Sequence, residues 1–152
     1  MIITFCGHSD FQANENYEKL IIDCIEKNAK DEKVEFYLGG YGRFDSFALE
    51  CCKKYKQTHP DASLVFVSPY LNNTYLRKHL ESYPNNTYDS ILFPEIEKVP
   101  PKFAIVYRNR YMIEKADLII AFVSHSYGGA FKTFQYAKRK SKHIFNLANK
   151  AL

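Results

Sequence analysis

The stretch Asp117-Leu118-Ile119-Ile120-Ala121-Phe122-Val123 leaves few folds open to this chain. It is rich in β-formers and apolar on both alternating faces, so a strand built from it must be covered on both sides. Shorter runs of the same kind stand at 2–6, 34–38 and 64–67, and a last strand is predicted at 143–147. Helical patterns separate them. Tyr17, Leu20, Ile21, Cys24 and Ile25 recur at helical spacing behind an Asn14 N-cap. Phe44, Phe47, Ala48, Cys51, Cys52 and Tyr55 do the same up to about Gln57, stopping before Pro60. Leu71, Leu76, Leu80 and Tyr83 suggest a further helix, and two more are predicted at about 102–115 and 129–140. Prolines break every period from Pro84 to Pro101, which reads as a loop or lid over a pocket.

Apolar strands alternating with helices predict an α/β fold: a Rossmann-like open parallel sheet of about five strands flanked by helices. Right-handed crossovers favour the order 3-2-1-4-5, which makes strands 2–6 and 117–123 neighbours at the switch point. Ligands bind there, outside the carboxyl ends of the strands.

Three glycine-bearing turns lie on that edge. Tyr127-Gly128-Gly129-Ala130 follows strand 117–123 and opens a helix, an arrangement in which backbone N–H groups converge on an anion. Gly39-Gly40-Tyr41-Gly42-Arg43-Phe44-Asp45 follows the second strand, and Gly7-His8-Ser9-Asp10 the first. Ser124, Ser126 and Thr133 add hydroxyls suited to phosphate, while His125 serves equally well as a plain turn residue. Tyr41 and Tyr127 stand beside glycines in turns, where a planar ring can stack on a nucleobase. Arg108 is favoured over Arg110 as a phosphate clamp, with Asn109 as the fallback. Asp45 opens a helix, where the dipole favours a carboxylate whatever its function, yet it also fits a ribose hydroxyl.

The chain has 152 residues, enough for a single domain over 1–152 with its own core. Its net charge of +4 is modest and dispersed, so nucleic acid is not demanded. Cys6, Cys24, Cys51 and Cys52 show no C-x-x-C spacing and read as reduced core residues of a cytoplasmic protein. The N-terminus reads as a strand rather than a signal peptide, and no run is long enough to span a bilayer. No metal site and no cofactor are expected.

Gly7-His8-Ser9, the Gly39–Asp45 segment, Arg108-Asn109-Arg110-Tyr111-Met112, Ala116-Asp117, and Gly128-Gly129 with Thr133 and Tyr136-Ala137-Lys138 together resemble the SLOG superfamily. The similarity is to its small members allied to DprA and to the YpsA-like proteins of Gram-positive bacteria and their phages, and it covers nearly the whole chain. It implies a nucleotide-binding fold whose relatives include LOG-type phosphoribohydrolases, single-stranded DNA binders and sensors of nucleotide-derived signals in bacterial defence. The LOG motif Gly-Gly-x-Gly-Thr-x-x-Glu, laid on Gly128 and Gly129, puts Phe131, Lys132 and Gln135 where it has its third glycine, threonine and glutamate. A neutral Gln135 cannot supply that carboxylate's charge.

The expected function is capture of a nucleotide or nucleotide-derived signal, as a sensor or sequestering protein, by a homo-oligomer with no nucleic-acid or membrane partner. An N-glycosidic or phosphoester hydrolase using Asp10, Asp45 or, less favoured because it lies past the first turn of its helix, Glu50 is the alternative. A DprA-like single-stranded DNA binder is the third class.

Overall fold

The computed structural model describes residues 1–80, 87–96 and 98–149. Six strands form one sheet: β1 (Ile2–Gly7), β2 (Glu35–Leu38), β3 (Ser63–Val67), β4 (Ser90–Leu92), β5 (Leu118–Phe122) and β6 (Ile144–Asn146). Their order is β4-β3-β2-β1-β5-β6 and every pairing is parallel. The expected neighbours are adjacent, with Ile3 to Gly7 of β1 in register with Leu118 to Phe122 of β5.

The sixth strand lies in the segment expected to be a loop. Ser90–Leu92 pairs with Val65 to Val67 at the sheet edge. Asp89 locks it there: its N–H donates to Leu64 O at 2.8 Å, its carboxylate accepts from Leu64 N at 2.7 Å, and Lys56 Nζ reaches it at 2.6 Å. Pro84 to Asn86 and Glu97, part of the same expected loop, lie outside the described residues, as does Tyr83.

Five helices cover the sheet: α1 (Glu15–Ala29), α2 (Gly42–Thr58), α3 (Asn73–Leu80), α4 (Ala104–Lys115) and α5 (Gly129–Arg139). Asn14 caps α1 as its sequence predicts, its Oδ1 accepting from Tyr17 N at 3.0 Å. The apolar strand residues divide by parity, as a pleat requires. Ile3, Phe5, Phe36, Leu38, Leu64, Leu118 and Ile120 pack with α1 and α2 on one face. On the other, Cys6, Ile119 and Ala121 meet Ile113 of α4 and Ala137 of α5, while Tyr37, Val65 and Val67 meet Met112. All four cysteines are free and buried. No helix among the described residues is long and apolar enough to cross a membrane.

The crossing of α2 over β1 depends on Gly7. A Cβ there would overlap the ring of Phe44, which is fully buried. Gly7→Ala is therefore expected to cost about 1–3 kcal/mol by overpacking. The cost should shrink when the alanine is introduced into a Phe44→Leu background, as read by a double-mutant cycle in denaturant. Additive single costs would show that the two residues do not press on one another.

Candidate functional site

Where β1 and β5 end, their loops diverge and leave a cavity of about 350 Å³. Thr4, Cys6 and the backbone of Gly7 supply the sheet side, Ile105, Asn109, Met112 and Ile113 of α4 one wall, and Gly129, Ala130 and Thr133 of α5 another. His8, Ser9, Asp10, Tyr41, Asp45, Arg108, His125, Tyr127 and Gly128 complete it. The topology thus brings together residues from all three glycine turns. Gly39, Gly40, Gly42, Ser124 and Ser126 do not line the cavity. Gly42 instead faces Ser9 across a separate shallow depression, and its φ of +87° places it in the left-handed region. None of residues 87–96 or 98–101 reaches the cavity, so the nearest wall after the edge strand is α4.

Arg108 is 2 % exposed, and Arg110 lies outside the cavity over the rings of Tyr107 and Tyr136. The guanidinium of Arg108 works mainly on the protein itself. Nη1 donates to Gly39 O and Val67 O, each at 3.0 Å, and Nε donates to Asn109 Oδ1 at 2.9 Å. Those carbonyls end β2 and β3, where no further strand residue can satisfy them. Burial disfavours its charge, and Tyr75 and Asp45 offset that. With Nη1 and Nε committed and Tyr75 bonded to the guanidinium as well, Arg108 has little left to offer a phosphate.

Two carboxylates border the cavity. Asp10 is exposed. Asp45 is partly buried, and burial pushes its carboxyl up to about 6, against a backbone bond from Tyr41 N at 2.9 Å and the charge of Arg108. Gln135 is exposed on α5 and lies outside the cavity, so its lack of charge does not bear on chemistry inside it. Cys6 does line the cavity, but burial and Asp45 push its thiol up to about 12, and it donates to Ala130 O at 3.2 Å. It is no nucleophile near neutrality.

His8 is 5 % exposed. Its Nε2 accepts from Ser124 N at 2.9 Å and His125 N at 3.4 Å, which assigns the ring proton to Nδ1. Burial, then His125, hold its pKa below the ordinary value, while Asp10 opposes them. The rings of His8 and His125 stack at 3.5 Å, and those of His125 and Tyr127 at 3.8 Å. Tyr127 ends this three-ring pile and is 69 % exposed; Tyr41 is 66 % exposed. Sequence reasoning named these residues but not the stack, since chain order does not encode ring geometry. It also passed over Ile105 and Asn146, and read Met112 only as part of the apolar side of its helix. Asn146 of β6 holds the same loop from the other side, accepting from Val123 N at 3.1 Å and donating to Val123 O at 3.0 Å.

The glycine turn opens α5 without a side-chain cap, Gly128 at a φ of +90° being the N-cap residue. No acidic residue stands in the first turn. The first-turn N–H groups and the positive end of the helix dipole therefore adjoin the cavity uncompensated.

No family model matches the chain, and no curated protein matches it. Among solved structures it is similar to DNA processing protein A (DprA) from Streptococcus pneumoniae, with a TM-score of 0.62 and 15% sequence identity over 95% of this chain. This chain spans about half of that protein, 49% of its length. It is also similar to the structural-genomics target TM1055, with a TM-score of 0.54 and 11% identity over 94% of this chain and 71% of the other. At such identities the likeness is one of fold, the Rossmann-like open parallel sheet described above.

Two outcomes follow from the polar groups of the cavity. Arg108→Met leaves Gly39 O and Val67 O buried without a donor, at a cost of about 1–3 kcal/mol for each, measurable by urea denaturation. Asp45, ordinarily 3.8 and here about 6, contributes stability that is full below its ordinary value and is lost as pH rises through the raised one. The stability of the wild type relative to Asp45→Asn should therefore fall between pH 3.8 and about 6. Denaturation midpoints showing the difference rising over that range would mean that Asp45 is not buried as described.

Proposed function

We propose that the cavity binds a nucleotide or nucleotide-derived ligand, and that the chain acts as a sensor or sequestering protein. The observation that carries this reading is Gly129. A Cβ at Gly129 would meet nothing within 4 Å, and its φ is not positive. Neither backbone conformation nor packing requires glycine there, although glycine at a helical position costs up to about 1 kcal/mol relative to alanine. Close approach of something from outside the chain supplies the missing reason. The uncapped N–H groups of α5 suit a phosphate, the exposed ring of Tyr127 suits a base, and Asp45 suits a ribose hydroxyl.

DNA processing is what the name of the pneumococcal protein says of that protein. A backbone-tracking DNA site needs a row of cations, whereas the cavity lining holds one Lys or Arg among the described residues, the committed Arg108. The small ligand is the better fit.

Titration calorimetry with ADP and ADP-ribose tests the proposal, supported by thermal shifts. At a hundredfold excess over Kd, a ligand bound only by the folded state adds about 2.7 kcal/mol of stability. Gly129→Val should fold and lose binding. Unchanged affinity in the folded variant would remove the turn from the site. Chromatography after incubation should return both compounds intact. Release of free base over many turnovers, abolished in Asp10→Asn or Asp45→Asn, would make the chain a hydrolase instead.

A further inference from the structure

We infer that His8 is a positioning residue for the glycine turn: as a neutral acceptor at the end of β1 it holds the β5–α5 loop, and its protonation releases the turn and weakens anion binding. The consequence for ligand binding rests on the nucleotide reading above; the tether itself does not.

The geometry carries the inference. Residues 123–128 must leave the sheet and reverse direction so that α5 begins with its N–H groups at the cavity. Backbone groups in such a loop have no strand partner, and four bonds from outside the loop fix its first half. Asn146 takes both polar groups of Val123, as a neighbouring strand would. Nε2 of His8 then takes the next two N–H groups, those of Ser124 and His125. His8 is itself fixed, because its N–H donates to Phe122 O at 3.3 Å and its ring lies edge-on to Phe122 at 6.4 Å. The stack from His8 through His125 to Tyr127 extends the restraint to the residue before Gly128.

A protonated imidazole has no acceptor. Both its nitrogens donate, so Nε2–H would point at two N–H groups and both bonds would be lost together. The groups that face His8 set when this happens. From the same loop stands His125, whose Nδ1 is buried without a hydrogen-bond partner. Asp10 follows His8 on its own strand's loop, Asp45 comes from α2, and Arg108 from α4. Burial and His125 outweigh Asp10 and lower the pKa of His8. The tether is therefore present above that lowered value and lost as pH falls through it.

The test needs a readout that no ligand enters and a second that one does. In the wild type near neutrality, imidazole nitrogen spectra should show His8 as the Nδ1–H tautomer. Amide exchange at Ser124 and His125 should be slow, faster in His8→Ala, and slow again in His8→Gln, whose amide oxygen replaces the acceptor but does not titrate. As pH falls from neutrality through the lowered value of His8, exchange in the wild type should accelerate relative to His8→Gln. With ADP as the probe, His8→Ala should bind about tenfold more weakly and His8→Gln within about twofold of the wild type. The wild-type affinity relative to His8→Gln should fall over the same pH interval, a ratio that cancels the protonation of ADP and of Asp45.

The other tautomer, or amide exchange indifferent to His8→Ala, would overturn the tether. ADP affinity unchanged in His8→Ala would overturn its role in positioning. If the wild type binds neither ADP nor ADP-ribose while the exchange pattern appears, the tether stands and the nucleotide reading falls. His8→Gln keeps the comparison open should His8→Ala fail to fold.

Discussion

A parallel sheet ends in carbonyl groups that no next strand residue can satisfy, and the structure around the site depends on how one buried guanidinium answers that problem. Arg108 reaches from α4 to Gly39 O and Val67 O, joining the ends of β2 and β3 to a helix on the other side of the molecule's sequence. The consequences propagate outward. A Cβ on Gly39 would sit 3.2 Å from the guanidinium carbon, so glycine leaves the arginine its space. Asp45 supplies opposite charge nearby, and the bond from Tyr41 N to Asp45 fixes the start of α2. The shape of one cavity wall therefore follows from backbone hydrogen bonding before any ligand is considered.

This is also where the sequence was legible only in part. The apolar runs and helical periods predicted the parallel sheet, and the crossover rule placed β1 beside β5, because both depend on pattern and handedness. The edge strand β4 escaped that reading. Three residues between Asp89 and Phe93 carry no period, and they are a strand because Leu64, twenty-five positions earlier, bonds to Asp89. The fate of Arg108 was hidden for a similar reason. A helical pattern tells that an arginine shares a face with buried residues, but whether its tip meets a phosphate or a carbonyl depends on how deeply the helix sits. Gln135 shows the converse: matched to a motif by spacing, it lies on an exposed part of α5.

The two ends of the cavity are built on different principles. On the α4 side, Nη1 and Nε of Arg108 are satisfied within the protein. On the α5 side, backbone donors are left uncapped and rings are left exposed. Binding sites are expected to combine a fixed support with a few unsatisfied groups aimed inward, since leaving such groups open costs stability that a bound ligand can restore. His8 stands at the boundary, being buried like the support yet bonded to the loop that bears the open groups.

Charge then narrows what suits the open side. The only Lys or Arg lining the cavity among the described residues is engaged at Nη1 and Nε, while Asp45 is largely ionised near neutrality because even its raised value of about 6 lies below 7. An anion approaching this site meets little free positive charge from side chains. Its attraction comes from oriented N–H groups at the start of α5, a short-range field that decays within about one helical turn. Such a field holds one well-placed phosphate and gives little to a long polyanion, whose affinity comes from releasing counterions along many phosphates. Asp45 adds a second constraint, because a carboxylate on the α2 side of the same cavity disfavours a second phosphate there and accepts from a hydroxyl. On the proposed reading, the ligand presents a phosphate to α5 and neutral hydroxyls to α2, with its apolar face turned to Tyr127.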